Sequence, residues 1–165
     1  MKKAVTVAML AAFIGMAAPA FALRVAYIDI KKAFDGYAGT QTAKDKLKKE
    51  AEAEKGKIEK DQDKLSKKLE ELQSQKKALA EAKYAEREKA IRGEIDELKA
   101  RVQTVQSDLA GQEQKMTEQI LDEIREVVHK VADREKYDYV FEKSNLLYGG
   151  MEITASVLNE LNNKK

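Results

Sequence analysis

The amino-acid sequence predicts a mostly α chain with a small β body, an α+β protein. In it a long antiparallel α-helical coiled-coil hairpin projects like a tentacle from a β-strand oligomerisation body. Two observations carry this prediction. Beyond residue 22 the aromatic side chains gather at the two ends, with Tyr27, Phe34 and Tyr37 near the start, Tyr137, Tyr139, Phe141 and Tyr148 near the close, and Tyr84 alone between them. From about Thr40 to about Lys136 there is no proline and a dense supply of Ala, Lys, Glu, Gln, Leu and Arg, all strong helix formers.

The first element, residues 1–22, reads as an export signal. Lys2 and Lys3 give a basic start, Ala4 to Ala18 an apolar run, and Ala20-Phe21-Ala22 the small-x-small pattern that a signal peptidase cuts, here after Ala22. The run is shorter than the roughly 20 residues of a bilayer-spanning helix, which disfavours a retained anchor. Cutting there leaves 143 residues with 29 basic and 29 acidic side chains, no cysteine and no proline. A balanced charge gives no footprint for nucleic acid. Without cysteine there is no disulfide framework, thiolate metal site or Cys nucleophile.

Residues 23–39 and 137–165 form the predicted body. Arg24 to Ile30 and Tyr137 to Phe141 are rich in β-branched and aromatic residues and read as strands. Asn145, Gly149 and Gly150 mark turns, and Leu147-Tyr148 reads as a further short strand. Thr154 reads as the N-cap of a last helix with apolar positions Val157, Leu158 and Leu161.

Residues 40–136 form the predicted hairpin. Apolar positions in its second half, among them Ile91, Ile95, Leu98, Val102, Val105, Leu109, Met116, Ile120, Ile124, Val127 and Val131, advance in threes and fours, the spacing of a coiled-coil seam. A leaner series runs through Leu47, Ala51, Ile58, Leu65, Leu69 and Leu72. Folded back so that facing residue numbers sum to 167, Leu47 meets Ile120, Ile58 meets Leu109, Leu72 meets Ile95 and Gly56 meets Gly111. The tip then falls near Lys83 and Tyr84, with arms of roughly 43 residues reaching about 65 Å. Lys44 to Arg92 carries 16 basic and 12 acidic residues against 7 and 11 for Gly93 to Lys136, so a positive arm lies along a negative one. An unbroken helix pairing antiparallel with a second copy would satisfy the same register. The hairpin is preferred because it returns the second set of strand residues to its own body.

The two body segments total 46 residues, close to the roughly 40 below which a domain needs disulfides, metal or oligomerisation. Oligomerisation through the strands is therefore expected, with Val25, Tyr27, Ile28, Ile30, Tyr139, Val140 and Phe141 as its candidate residues.

The export signal, Val25-Ala26-Tyr27-Ile28-Asp29, Ala33-Phe34, the charged hairpin, Asp138-Tyr139-Val140-Phe141-Glu142, Tyr148, and Ile153-Thr154 leading to Val157-Leu158 together resemble the Skp/OmpH family. The resemblance spans essentially the whole chain after the signal. It implies a homotrimeric, ATP-independent periplasmic chaperone in which a β-barrel-like body joins three helical tentacles. Unfolded outer-membrane proteins would be held in the cavity between them. The chain departs from the family in charge, since its well-known members are basic. That favours apolar contact in the cavity over electrostatic capture.

Around the expected tip, Lys76, Lys77, Lys83, Arg87, Lys89 and Arg92 outnumber the acids, with Leu79 and Tyr84 among them. This set is the candidate contact for clients, anionic lipid or lipopolysaccharide, although a basic run is also an ordinary solvated helix face. No enzymatic reading survives inspection. His129 stands in a single Glu126-x-x-His129 spacing, where a di-iron site needs that motif twice. Asp61-Gln62-Asp63 lacks the glycine and closing glutamate of a calcium loop, with Ser66 and Leu72 in their places. There is no phosphate-binding loop, and no cofactor is expected. The competing function is a periplasmic scaffold or tether that binds a folded envelope partner along the coiled coil.

Overall fold

β-Branched and aromatic residues from the two ends of the chain meet in one small sheet, and everything between them is helix. The computed structural model describes residues 22–163; the basic start and apolar run of the leader, with Ala20, lie outside the described residues. In chain order the elements are β1 (Val25–Ile28), α1 (Ile30–Gly36), α2 (Ala38–Ser74), α3 (Glu81–Glu135), β2 (Tyr139–Glu142), a 3₁₀ turn (Lys143–Asn145), β3 (Met151–Glu152) and α4 (Thr154–Asn163). No helix among the described residues is long and apolar enough to cross a membrane.

The sheet has the order β2-β1-β3 and is parallel throughout. Val25 pairs with Tyr139, Tyr27 with Phe141, and Tyr27 on its other side with Glu152. Parallel neighbours need a long crossover, and the crossover from β1 to β2 is the entire hairpin. Alternation along β1 turns Ala26 and Ile28 inward and leaves Val25 and Tyr27 half-buried on the other face. The first strand is shorter than the sequence suggests because Asp29 ends it as the N-cap of α1, accepting a hydrogen bond from the Lys32 amide at 2.9 Å. Leu147-Tyr148 is not a strand. The pair projects from the connection ahead of β3, which bends at Gly149 and Gly150, both at positive φ. Gly150 sits at φ 86°, in the left-handed region where a side chain is strained, so the return over β1 favours glycine there.

The core lies under the covered face of the sheet. Ala26, Ile28 and Ala33 meet Ile120, Ile124, Val127 and Val131 of α3 and Ile153, Val157 and Leu161 of α4. The steps of four, three and four along α3 keep one helical stripe against the sheet. The body thus takes in the last turns of α3, and the boundary expected at residue 136 falls just past a helix that belongs to both parts. This enlarges the body and relaxes the size argument for oligomerisation. A left-handed Lys136 (φ 57°) ends α3, with Tyr137 N–H donating to the Ala132 carbonyl at 3.0 Å and Lys136 N–H to Asp133 at 3.3 Å, a Schellman stop usually given to glycine.

Polar groups lock the joints between elements. Asn162 of α4 accepts from the first amide of α2, Ala38 N–H, at 2.8 Å and donates to the Gly36 carbonyl at 3.2 Å, satisfying two helix ends at once. Thr154 opens α4, but its hydroxyl accepts the Asp29 amide at 3.0 Å. Lys143 pairs with the same Asp29 at 3.0 Å, so the end of β1, the start of α1, the 3₁₀ turn and the start of α4 converge on one carboxylate and its amide.

The hairpin forms within one chain, with a turn at Gln75–Ala80. The expected tip residues Lys83 and Tyr84 lie instead in the first turn of α3. Glu50–Gln112, Asp61–Arg101, Lys68–Glu94 and Gln75–Arg87 fix the register, and their numbers sum to 162, not 167. Seams that repeat in threes and fours look alike when slid by about one turn, because the same faces stay in contact. The turn decides between them, and it is closed by backbone bonds such as Ala78 N–H to the Gln75 carbonyl at 2.9 Å. The 37 residues of α2 and 55 of α3 correspond to about 55 Å and 80 Å at 1.5 Å per residue. The excess of α3 is what runs on under the sheet.

Candidate binding surfaces of the body and arm

The face of the sheet turned away from the helices is open. In a parallel ladder, residues in register share a face, so Val25 and Tyr27 of β1 lie beside Tyr139 and Phe141 of β2. The last two are 55% and 41% exposed and their rings stack with centroids 6.3 Å apart. Leu23 and Met151 are exposed at the same end of the molecule, and Leu147 and Tyr148 stand wholly in solvent. Exposed apolar patches are characteristic of interaction surfaces, which makes this face a candidate for one. Of the seven residues expected there, Val25, Tyr27, Tyr139 and Phe141 face outward. Ile28 is buried in the chain's own core, and Ile30 and Val140 pack against that core, because the pleat alternates sides. Leu23, Leu147, Tyr148 and Met151 are further exposed apolar side chains of the body that the sequence reading did not single out, Met151 being in register with Ala26 and so outside the Tyr27 face. The signal for the middle pair was their place beside two glycines, which favours a projecting turn over a strand.

The basic residues expected at the tip are brought together at the hairpin's end. Lys76 and Lys77 lie in the turn, Leu79 is half-buried beneath it, and Lys83, Tyr84, Arg87, Lys89 and Arg92 follow on the first turns of α3. Some are already engaged. The Lys76 ammonium lies 5.9 Å from the Tyr84 ring centroid, Arg87 donates to Gln75 at 2.6 Å, and Arg92 pairs with Glu88 at 2.6 Å. Lys77, Lys83 and Lys89 make no ion pair among the described residues. With Lys76 and Arg87, whose contacts are to an aromatic ring and a neutral amide, these three carry positive charge that no carboxylate offsets.

Along the middle of the arm, cross-helix ion pairs close one side of the hairpin. Lys68 meets Glu94 at 2.6 Å, and Arg101 meets Asp61 at 2.8 Å and Glu54 at 3.5 Å. The Lys57 ammonium holds Glu54 below the usual carboxylate range, with Arg101 adding to the effect. Asp61 is thereby committed to Arg101 and Lys64. Its role as an ion-pair partner accounts for the first of the two aspartates that resembled the start of a calcium loop. His129 lines a groove beside β2 with Arg125, Val128 and Asp133. No group of three or more potential metal ligands occurs among the described residues. At the base of the arm the Tyr37 hydroxyl donates to Glu123 at 2.7 Å, which pushes the phenol's pKa up and fixes the start of α2 against α3.

These features define a class of protein: a small parallel sheet with one apolar face left open, from which a slender, ion-paired helical hairpin extends. The chain belongs to the OmpH-like outer membrane protein family, whose sequence profile matches residues 24–161. No curated protein sequence matches it. A crystal structure from Caulobacter crescentus CB15, described as a candidate outer membrane chaperone (OmpH-like), superposes with a TM-score of 0.81 at 16% identity, covering 92% of this chain and 90% of that one. The likeness extends over sheet, core and hairpin together.

Proposed function

We propose that the protein is an ATP-independent holdase chaperone of the periplasm, exported by the leader at residues 1–22 and cleaved after Ala22. It holds unfolded outer-membrane β-barrel proteins in a cavity between helical arms and prevents their aggregation before insertion. The observation that carries this reading is the pairing of an open aromatic sheet face, suited to self-association, with an arm too slender to enclose anything alone. Membership of the OmpH-like family supports it, as does the fold shared with the Caulobacter protein.

Self-association supplies the missing walls. Each chain brings three strands with two free edges, so a homotrimer would offer nine. That is close to the roughly eight at which a closed barrel is just filled by its inward side chains. Val25, Tyr27, Tyr139 and Phe141 would fill that interior, and three arms would surround one space. Barrel proteins alternate apolar and polar residues along each strand and aggregate through exposed edges while unfolded. Many weak contacts from several arms hold such a chain without a tight site and without an enzymatic step. The free lysines at the tip, Lys77, Lys83 and Lys89, suit contact with anionic lipid or lipopolysaccharide on delivery.

The test is dilution of a urea-unfolded outer-membrane barrel protein into nucleotide-free buffer containing the chain from Leu23, followed by light scattering. Suppression that saturates near about three subunits per client is the expected result. Undiminished scattering from a folded, assembled sample would point instead to a tether for a folded partner.

A further inference from the structure

The two sides of the mid-arm differ in kind. On the ion-paired side, every residue lining the groove except Leu65 and Leu98 is charged. The other side is an open groove of about 600 Å³ whose floor is Leu65, Leu69, Ile95, Leu98 and Val102. Its rim is Gln62, Ser66 and Gln103, with Lys99 the single charged residue, and that ammonium is paired with Asp96 at 3.1 Å. By helical spacing Gln73 continues the row begun by Gln62 and Ser66, and Gln106 the row begun by Lys99 and Gln103. In a chain where about four residues in ten after the leader are charged, a rim whose one charge, Lys99, is already paired, lying over an apolar floor, is a departure that solubility does not require.

Resting on the holdase reading, we propose that this neutral-rimmed groove is the client-contact surface of the arm, and that its occupant is an extended, uncharged segment of unfolded polypeptide. Glutamine and serine side chains both donate and accept hydrogen bonds, as a peptide backbone does, whereas lysine only donates and an ionised carboxylate only accepts. An amide rim over a leucine, isoleucine and valine floor therefore matches the two features every unfolded barrel strand shares, its backbone and its apolar side chains, and reads no particular sequence. Charge matches as well. An uncharged segment meets no unpaired ion on this side, while on the other it would have to displace Lys68–Glu94 and Arg101–Asp61. The tip lysines are left to anionic surfaces, and the client is held lower on the arm.

Gln62, Ser66 and Gln103 are exposed, so Gln62→Glu, Ser66→Glu and Gln103→Glu together add three negative charges to the rim without touching the floor. A control of equal charge change combines Lys48→Gln, Lys55→Gln and Lys67→Gln, which lie off the groove. Affinity for a small outer-membrane β-barrel protein diluted from urea is read by the client's tryptophan fluorescence, to which this tryptophan-free chain adds nothing. The rim variant is expected to bind roughly tenfold more weakly and the control within about twofold of the parent, with circular dichroism and assembled mass unchanged in both. Equal loss in both variants, or loss in neither, overturns the groove assignment. So does a change in assembled mass confined to the rim variant, which would make the groove a contact between copies of the chain. If the parent itself binds no client, the holdase reading fails instead.

Discussion

Thr40 is fully buried and its hydroxyl has no hydrogen-bond partner among the described residues. An orphaned hydroxyl costs its full desolvation, and valine has nearly the same shape. Thr40→Val is therefore expected to raise the unfolding free energy by about 1 kcal/mol, seen as a higher urea midpoint at unchanged slope. Asp29 gives a prediction with a sign. The Lys32 amide, then the Lys143 ammonium, hold its carboxyl below the ordinary value of 3.8, so its folded pKa lies under its unfolded one. Its stabilisation is complete above that ordinary value and drains away as pH falls through the folded pKa. Asp29→Asn keeps a capping side chain but loses the charge. The stability gap between parent and variant, measured by urea unfolding, should be flat from neutral pH to about 5 and shrink below about 4; a gap that persists to about pH 2 would contradict the assignment. Neither residue could be recognised from sequence alone, since burial without a partner and a joint shared by four segments exist only after folding.

The helices and their antiparallel pairing were legible because propensity and spacing are local properties, and α2 and α3 follow them closely. Their register was not, because Leu72 finds an apolar partner on α3 whether it faces Ile91 or Ile95. The turn at Gln75–Ala80, which decides the register, carries none of the glycine, proline or asparagine that announces turns, so the sequence gives no local sign of where the chain reverses. Between Thr40 and Leu65 on α2, and between Ile91 and Ile120 on α3, no residue is fully buried. That band also holds Gly56, Gly93 and Gly111, where an added methyl group would meet nothing within 4 Å. Glycine inside a helix costs about 0.5–1 kcal/mol relative to alanine. Gly56→Ala and Gly111→Ala should each slow amide hydrogen exchange in the middle of the arm severalfold while leaving the core amides of the body unchanged. Equal slowing in the body would show instead that arm and body open together.

At the scale of the whole molecule, the strand segments were legible in the clustering of aromatics at both ends. Which of those residues face outward was not, because the pleat divides neighbours such as Ile28 and Tyr27 between opposite sides. Phe141→Asp, on the open face, should lower the assembled mass measured by light scattering while the helical circular dichroism persists. Ile28→Asp, in the core, should abolish the folded body altogether; an intact mass for Phe141→Asp would remove the open face from the assembly. The sheet also imposes an order in time. Its central strand is among the first structured parts of the chain to be synthesised, yet both of its neighbours come after the hairpin, and the helix that closes the core comes later still. Arm contacts can form while the ribosome is still at work, but β1 has no partner until Tyr139 to Glu142 exist. A chain halted shortly before that point would own a nearly complete arm and nothing to attach it to, so completion of synthesis itself gates formation of the body and, with it, entry into the proposed assembly.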